Sequence, residues 1–467
     1  MLKIYNTLGR ELQDFRPIHK NNVKFYQCGP TVYSRQHIGN LYSALKGDLI
    51  RRALEYLGYE VTFARNITDV GHLTGDNEGN ADDGEDKMAK GSKKEGLSPS
   101  DIAQKYTKLY HEDIQKLNVR PPDFEPIATK YVDQMAEMVQ VLINKGFAYS
   151  TSKAIYFNVD KFPEYNKLNL QKLDKNKLGA GHGDVYDSEK KNPYDFSLWF
   201  YRVGKHNNAL QFWIKHFKGV EQPTAEGFPG WHIECSAMSL DTLGKTIDIH
   251  MGGVEHISVH HTNEIAQSEC ANETNFANYW IHHELIMVDG EKMSKSLGNV
   301  YTIDDLEANG FSPLDYRYFS LQAHHRSKQN FTWEALTAAK NAREKLEKII
   351  AGLKAHSAKP EIDPDYKQNL IQALEDDFNI PRALGIVWEL LKSDLVAEKK
   401  LGTVLDFDKV MGLGLQGLTP AQGPELSEEV KELIRQRKEA RDKKDWATAD
   451  SIRDKLKKEF GVEVVDK

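Results

Sequence analysis

Val23–Ala64, VKFYQCGPTVYSRQHIGNLYSALKGDLIRRALEYLGYEVTFA, is the stretch that decides the fold. Val23–Cys28 predicts a short strand, broken by Gly29-Pro30. Leu41, Ala44, Leu45, Leu49, Ala53, Leu54 and Leu57 then recur at helical spacing. Gly58 stands where a helix-ending glycine belongs, and Val61–Ala64 predicts a second strand. Strand, helix and strand in about forty residues form a βαβ unit, so the two strands run parallel. Such sheets take their ligands at the carboxyl end of the first strand, which is where Cys28 and its following loop lie.

Working outward, residues 74–99 alternate acidic, basic and Gly residues with little to bury, and predict a solvated loop or mobile flap. Ser98-Pro99 opens a helix that carries Ile102, Tyr106, Leu109 and Ile114 on one face. An amphipathic helix over 128–145 ends at Gly146, and short strands follow at Phe147–Ser150 and Ala154–Val159. Residues 160–230 read as a loop-rich, aromatic insertion between two halves of a sheet. The sheet resumes at Thr246–His250, with a helix from about His260 and a strand near Ile281–Val288. From 331 the pattern is helical, and a Pro/Gly-bearing linker at 418–427 precedes two helices and a short strand, Val462–Val465. The expected architecture is α/β: a Rossmann-type parallel sheet split by an insertion, then an α-helical bundle and a small α/β C-terminal domain. The corresponding segments are 1–119, 120–229, 230–330, 331–417 and 427–467.

The 467 residues are 40% apolar and 28% charged, with a formal net charge of −7. This describes a globular chain rather than a disordered tail, and argues against a purely electrostatic nucleic-acid binder. Cys28, Cys235 and Cys270 are too few and too far apart for a disulfide framework, so a reducing compartment is expected. The first residues carry no signal-peptide core, and no apolar run approaches ~18 residues. The cytosol, with no membrane partner, is the expected location.

Two short motifs carry chemistry. His37-Ile38-Gly39-Asn40 opens the first long helix, whose free N–H groups and positive dipole end suit phosphate. Gly39 lets a base or ribose approach the backbone, and His37 and Asn40 can donate to phosphate oxygens. A capping histidine beside a packing glycine is the blander reading. Lys292-Met293-Ser294-Lys295-Ser296 lies in a Gly-flanked loop, where Lys292 and Lys295 can follow charge onto a departing pyrophosphate.

HIGN and KMSKS in this order resemble the two signatures of class I aminoacyl-tRNA synthetases. CGPTVY at 28–33, GWHIECSAM at 230–238 and HHTNE at 260–264 resemble the cysteinyl-tRNA synthetase family, over nearly the whole chain. The resemblance implies a zinc-dependent enzyme that activates L-cysteine with ATP and Mg²⁺ and transfers it to tRNA(Cys); a monomer is expected. It further implies that Cys28, Cys235, His260 and Glu264 converge on one structural and substrate-binding Zn²⁺, a donor set that suits this metal. His260 and Glu264 are one helical turn apart. The choice of His260 over its neighbour His261 rests on the family pattern alone, and Cys270 matches no ligand position. A thiol deprotonates on Zn²⁺ where the alcohol of serine resists it, which provides discrimination without editing. Glu264 is expected to be the weak ligand, leaving when substrate sulfur binds.

By the same resemblance, Trp231 covers the amino-acid pocket, and Cys28, Thr68 and Asp69 contact the amino acid. Gly39, Gly252, Gly253, Glu255 and Lys295 bind ATP, and His37, Asn40, Lys292 and Lys295 stabilise the reaction. Asn40 replaces a more usual His, and Glu255 a more usual Asp at the ribose. The basic run at 435–444 followed by Trp446 suits phosphate contact with base stacking, through Arg435, Arg437, Lys438, Arg441 and Trp446. A ligase passing activated cysteine to a small amine fits less well, because it needs no terminal RNA-reading domain. Intact signatures argue against a non-catalytic RNA binder, and HHTNE lacks the HExxH spacing of a zinc hydrolase.

Overall fold

Strands β1 (Lys3–Asn6) and β2 (Glu11–Asp14) pair antiparallel at the N-terminus. Next come β3 (Asn22–Gln27), α1 (Ile38–Tyr56) and β4 (Glu60–Arg65). As expected, β3 and β4 run parallel, with Phe25 beside Phe63 and Gln27 beside Arg65. The His37 side chain caps α1 by accepting the Asn40 N–H, and the helix ends at Leu57-Gly58, with Gly58 at φ +93°. The computed structural model describes residues 1–71, 87–170, 187–222, 224–293, 298–356, 359–420 and 428–460.

The solvated loop expected over 74–99 is not one throughout. Residues 87–95 form helix α2 (Lys87–Glu95), because Met88 is buried in the main core and Ser92 faces inward. Residues 72–86 lie outside the described residues. Helix α3 (Pro99–Lys116) starts as expected, with the Ser98 side chain accepting the Asp101 N–H. Its inner face carries Ile102, Tyr110 and Ile114, whereas Leu109 is half-buried. Asp113 is also buried there because Arg35 holds both its oxygens (2.6 and 2.8 Å).

The insertion is more ordered than its composition suggests. Helix α4 (Val132–Asn144) is followed by β5 (Ala148–Ser150), β6 (Ala154–Phe157), β7 (Phe196–Tyr201), β8 (Trp213–His216) and β9 (Thr224–Pro229). These strands form a five-stranded antiparallel sheet in the order β5-β6-β7-β9-β8. All six residues of β7 are buried, so the strand shows no alternation and its sequence reads as an aromatic cluster.

The parallel sheet then continues. Helix α5 (Trp231–Leu243) leads to β10 (Ile247–Gly253), and α6 (His260–Asn272) leads to β11 (Ala277–His283). The order β11-β10-β3-β4 is parallel throughout. The single strand expected near 281–288 is two. After β11 the chain leaves the sheet, and β12 (Ile286–Val288) pairs instead with β13 (Glu291–Lys292) and, after α7 (Ile303–Ala308) and α8 (Pro313–Leu321), with β14 (Gln329–Phe331).

Helices α9 (Trp333–His356), α10 (Pro364–Glu375), α11 (Ile380–Lys392) and α12 (Ala397–Met411) form the bundle. One continuous apolar cluster runs from β3 and α1 through α8 into these four helices. Helices α13 (Glu428–Asp442) and α14 (Trp446–Phe460) pack on each other, and the strand expected at Val462–Val465 lies outside the described residues. Among the described residues no helix is long and apolar enough to cross a membrane.

A buried ion pair joins α1 to α8, and Arg317 reaches on to α12 of the bundle. The Asp48 carboxylate on α1 accepts from Arg317 (2.7 Å), Arg52 (2.7 Å) and the Arg120 N–H (3.1 Å). Arg317 also donates to the carbonyls of Met411, Leu117 and Asn118. Burial alone would raise the Asp48 pKa, but Arg317 and Arg52 outweigh it and hold it low. Lys46, two residues earlier, is buried and donates to the Ser320 and Ala323 carbonyls (2.6 and 2.8 Å). Its burial pushes the ammonium pKa down to about 7.

Removing one partner of the Asp48–Arg317 pair, as in Arg317→Met, is expected to cost about 3–5 kcal/mol in denaturant unfolding. The double variant with Asp48→Asn should recover part of that loss. Lys46 sheds its proton in the folded state near pH 7 but keeps it to about 10.4 when unfolded. The unfolded state therefore binds more protons in this window, and stability rises with pH. Between pH 7 and 10 the native chain should gain ~2–4 kcal/mol relative to Lys46→Met. Unfolding midpoints that shift in parallel for both proteins would contradict this.

Candidate metal and nucleotide site

Four side chains from three elements meet at the carboxyl edge of the sheet. Cys28 follows β3, Cys235 lies in the second turn of α5, and His260 and Glu264 sit one turn apart on α6. One ligand atom from each lies within 4.8 Å of all the others, and all four residues are buried. The Cys28 thiol points at Cys235 Sγ (3.9 Å) and at Glu264 Oε1 (3.7 Å), while His260 Nε2 is 2.9 Å from Glu264 Oε1. The second ring nitrogen of His260 meets His232 Nδ1 at 2.9 Å, a contact of the kind that orients a metal-binding imidazole.

The electrostatics suit a cation. The Cys28 thiol bond brings the Cys235 pKa down to about 7, while burial pushes Cys28 well up. Burial works against an imidazolium at His260, but Glu264 and Cys235 outweigh it and raise its pKa to about 10. Glu264 stays ionised despite burial, because His250 and His260 face it. Two thiols, an imidazole and a carboxylate fit a borderline-soft divalent ion such as zinc.

A second ring of histidines surrounds the group, of which the sequence raised only His261, as the rival of His260. His250 Nε2 is 3.6 Å from Cys28 Sγ and 3.2 Å from Glu264 Oε2, and His261 Nε2 is 3.4 Å from Cys28 Sγ. Cys28, His250, His261 and Glu264 therefore form an overlapping group of possible ligands. His261 Nδ1 meets His282 Nε2 (2.7 Å), and His282 Nδ1 meets Thr7 Oγ1 (2.8 Å). The repeated histidines at the strand ends and in the HH pair were the available signal. A third cluster, His324, His325 and Asp377, is already neutralised by Arg326 Nε at 2.6 Å.

A cavity of about 270 Å³ opens beside the four ligands, lined among others by His37, Asn40, Thr68, Trp231, Gly253 and Glu255. Trp231 stacks on His260 at 4.3 Å between ring centres. Thr68 donates to Glu234 Oε2 (3.0 Å), and burial holds the Glu234 carboxyl far above its ordinary pKa. Asp69 does not line this cavity. Its oxygens accept from the Thr129 N–H (2.8 Å) and hydroxyl (2.6 Å). Gly252 leaves room for histidines: a Cβ there would lie 2.6 Å from His256 Nδ1 and from His261 Cε1.

Met293 lies close to the first signature. A Cβ at Gly39 would lie 3.0 Å from the His37 ring and 3.3 Å from Met293 Cε. The Ile38 N–H donates to the Tyr301 carbonyl (2.8 Å), just beyond the second signature. Asn40 Nδ2 donates to Gln36 (2.6 Å), and Lys292 is exposed on β13. Lys295, with Ser294 and Ser296, lies outside the described residues. At the C-terminus, Lys438 is exposed, and Arg441 lies 6.0 Å from the ring of the exposed Trp446. Arg437 is buried, and Arg435 is paired with Glu432 (2.7 Å) and Glu439.

Residues 14–341 match the family described as the class I (C) tRNA synthetase catalytic domain, and 423–467 match the cysteinyl-tRNA ligase anticodon binding domain. The cysteine–tRNA ligase of Treponema denticola is 40% identical over 98% of this chain and 96% of that protein. Cysteine–tRNA ligase 1 of Burkholderia lata is 40% identical over 98% and 94%, and the Thermus thermophilus enzyme is 38% identical over 100% and 97%. Methionyl-tRNA synthetase of Mycobacterium tuberculosis, solved with methionyl-adenylate, shares the fold. Its TM-score is 0.56 at 15% identity, covering 88% of this chain and 94% of that one. By its catalytic match and its full-length relatives, this chain belongs to the cysteinyl-tRNA ligase family of class I aminoacyl-tRNA synthetases.

Proposed function

We propose that the chain activates L-cysteine with ATP to cysteinyl-adenylate and pyrophosphate, then transfers the cysteinyl group to tRNA(Cys). The observation that carries this reading is the convergence of Cys28, Cys235, His260 and Glu264 on one point beside the cavity that HIGN lines. A zinc ion held by these four residues would supply a bond to the substrate thiolate that serine cannot form.

The remaining chemistry is positioning and charge stabilisation. The cysteine carboxylate attacks the α-phosphorus in line, and the bond to the pyrophosphate oxygen breaks. No protein nucleophile is needed. His37 and Asn40, at the positive end of α1, hold the phosphates, and Mg²⁺ accompanies ATP. Lys292 and Lys295 follow the charge that builds on pyrophosphate. Trp231 covers the amino acid, while Gly253 and Glu255 face the adenosine. Thr68, oriented by Glu234, bonds the amino acid, and Asp69 supports that strand end through Thr129. A ribose hydroxyl of tRNA then attacks the acyl carbon and releases AMP. Segments 1–119 and 230–330 form the catalytic domain, 120–229 the insertion, 331–417 the bundle and 427–467 the anticodon-facing domain. On that last domain Lys438, Arg441 and Trp446 are the surface we assign to RNA.

With zinc held there, Glu264 would be the ligand to give way. Two thiolates and a carboxylate would already bring three negative charges, and a third sulfur would favour loss of the carboxylate. His250 Nε2, 3.2 Å from Oε2, supports this reading, because it can keep the released carboxylate paired.

Pyrophosphate exchange should require cysteine and ignore serine, and aminoacylation of tRNA(Cys) should follow; exchange without transfer would refute the second step. Cys235→Ser, or chelation of the metal, should lower zinc content and cut kcat/KM for cysteine by about 100-fold or more. X-ray absorption at the zinc edge should show the oxygen shell weakening as a third sulfur appears on adding cysteine. An unchanged oxygen shell would rule out release of Glu264.

A further inference from the structure

Arg65, the last residue of β4, is 1% exposed, and none of its three guanidinium nitrogens holds a carboxylate or a carbonyl among the described residues. Three other buried arginines behave differently: Arg51, Arg317 and Arg343 each hold a carboxylate. The surroundings of Arg65 are neutral: the Phe63 and Tyr110 ring centres lie 5.9 and 5.7 Å away. Burial keeps the Tyr110 phenol above its ordinary pKa, against the charge of Arg65 and a side-chain hydrogen bond with it, so Tyr110 offers the guanidinium a neutral oxygen and no counter-charge. Gln27, the register partner of Arg65, turns its Nε2 to the Ser43 carbonyl and leaves Oε1 without a donor. A guanidinium cannot shed its charge, and a buried one left unpaired is strongly unfavourable.

Arg65 also lines the cavity that Cys28, Asn40 and Thr68 line. We propose that Arg65 binds an oxyanion of the reacting ends, either the carboxylate of the amino acid or a phosphate of the nucleotide. This assignment rests on the adenylation reading above. Both sources present two oxygens to a planar fork, which a lysine matches poorly. The low-dielectric recess strengthens the pairing. The ligand supplies the counter-charge that the described residues lack, so binding offsets the cost of burying the guanidinium.

The test uses the full chain with Arg65→Gln and Arg65→Lys, and calorimetric titration with four ligands. Cysteine is compared with cysteinol, which lacks the carboxylate, and ATP with adenosine, which lacks the phosphates. Arg65→Gln should weaken cysteine or ATP by about 10–100-fold and leave the matching neutral analogue within about twofold, the size of one charge-assisted bond. The pair that separates identifies the oxyanion, and Arg65→Lys should recover only part of the loss. Should Arg65→Gln fail to fold, Arg65→Lys is read with the same pairs. Equal effects on charged and neutral ligands, or none, would overturn the proposal and leave Arg65 as a water-satisfied structural cation. A native chain without cysteine-dependent exchange would instead sink the adenylation reading, and the assignment with it.

Discussion

Two sulfurs, an imidazole and a carboxylate cannot share a dry pocket without a cation or a network of protons between them. The site around Cys28 is built on that constraint. Left to protons alone, Cys28 stays a thiol, Cys235 tends to thiolate, and His260 takes up a charge that faces Glu264. A divalent ion held by these groups would do the same work and would displace protons from them. Cys28, Cys235 and the His260–Glu264 turn arrive from β3, α5 and α6, so their meeting requires the parallel order of β10 and β3.

That geometry places a candidate metal centre and the N-terminus of α1 at one edge. Parallel strands present their carboxyl ends together, and the crossover helices begin there with the positive ends of their dipoles. Helix α1 contributes HIGN, and α5 brings Trp231 over the His260 ring within its first turn. The insertion makes this possible, because β9 delivers the chain to Gly230 just before Trp231. The Ile38–Tyr301 hydrogen bond ties the first signature to the chain beyond the second, and Met293 lies close enough that a side chain at Gly39 would crowd it.

The catalytic sheet is also welded to the bundle. Asp48 and Arg317 are fully buried, and through the carbonyls of Leu117, Asn118 and Met411 they join α1, α3, α8 and α12. The apolar cluster beneath them is continuous. A pair like this depends on every donor and acceptor being met, which favours one docking of the two regions over its neighbours.

Local physics was legible in the chain. The Leu and Ala spacing of α1, the glycine beyond its end, the Ser98-Pro99 cap and the parallel βαβ unit all follow from periodicity and capping, which act within a few residues. The four residues expected at the metal do come together, although the preference for His260 over His261 came from family likeness and not from spacing. Tertiary packing decided the rest. It folded 87–95 around Met88, buried β7 on both faces, and split the 281–288 run between two sheets. It also turned Asp69 to Thr129, took Arg437 inside, and surrounded Cys28 with His250 and His261. A side chain's partner depends on which distant element covers it, and neither composition nor period records that.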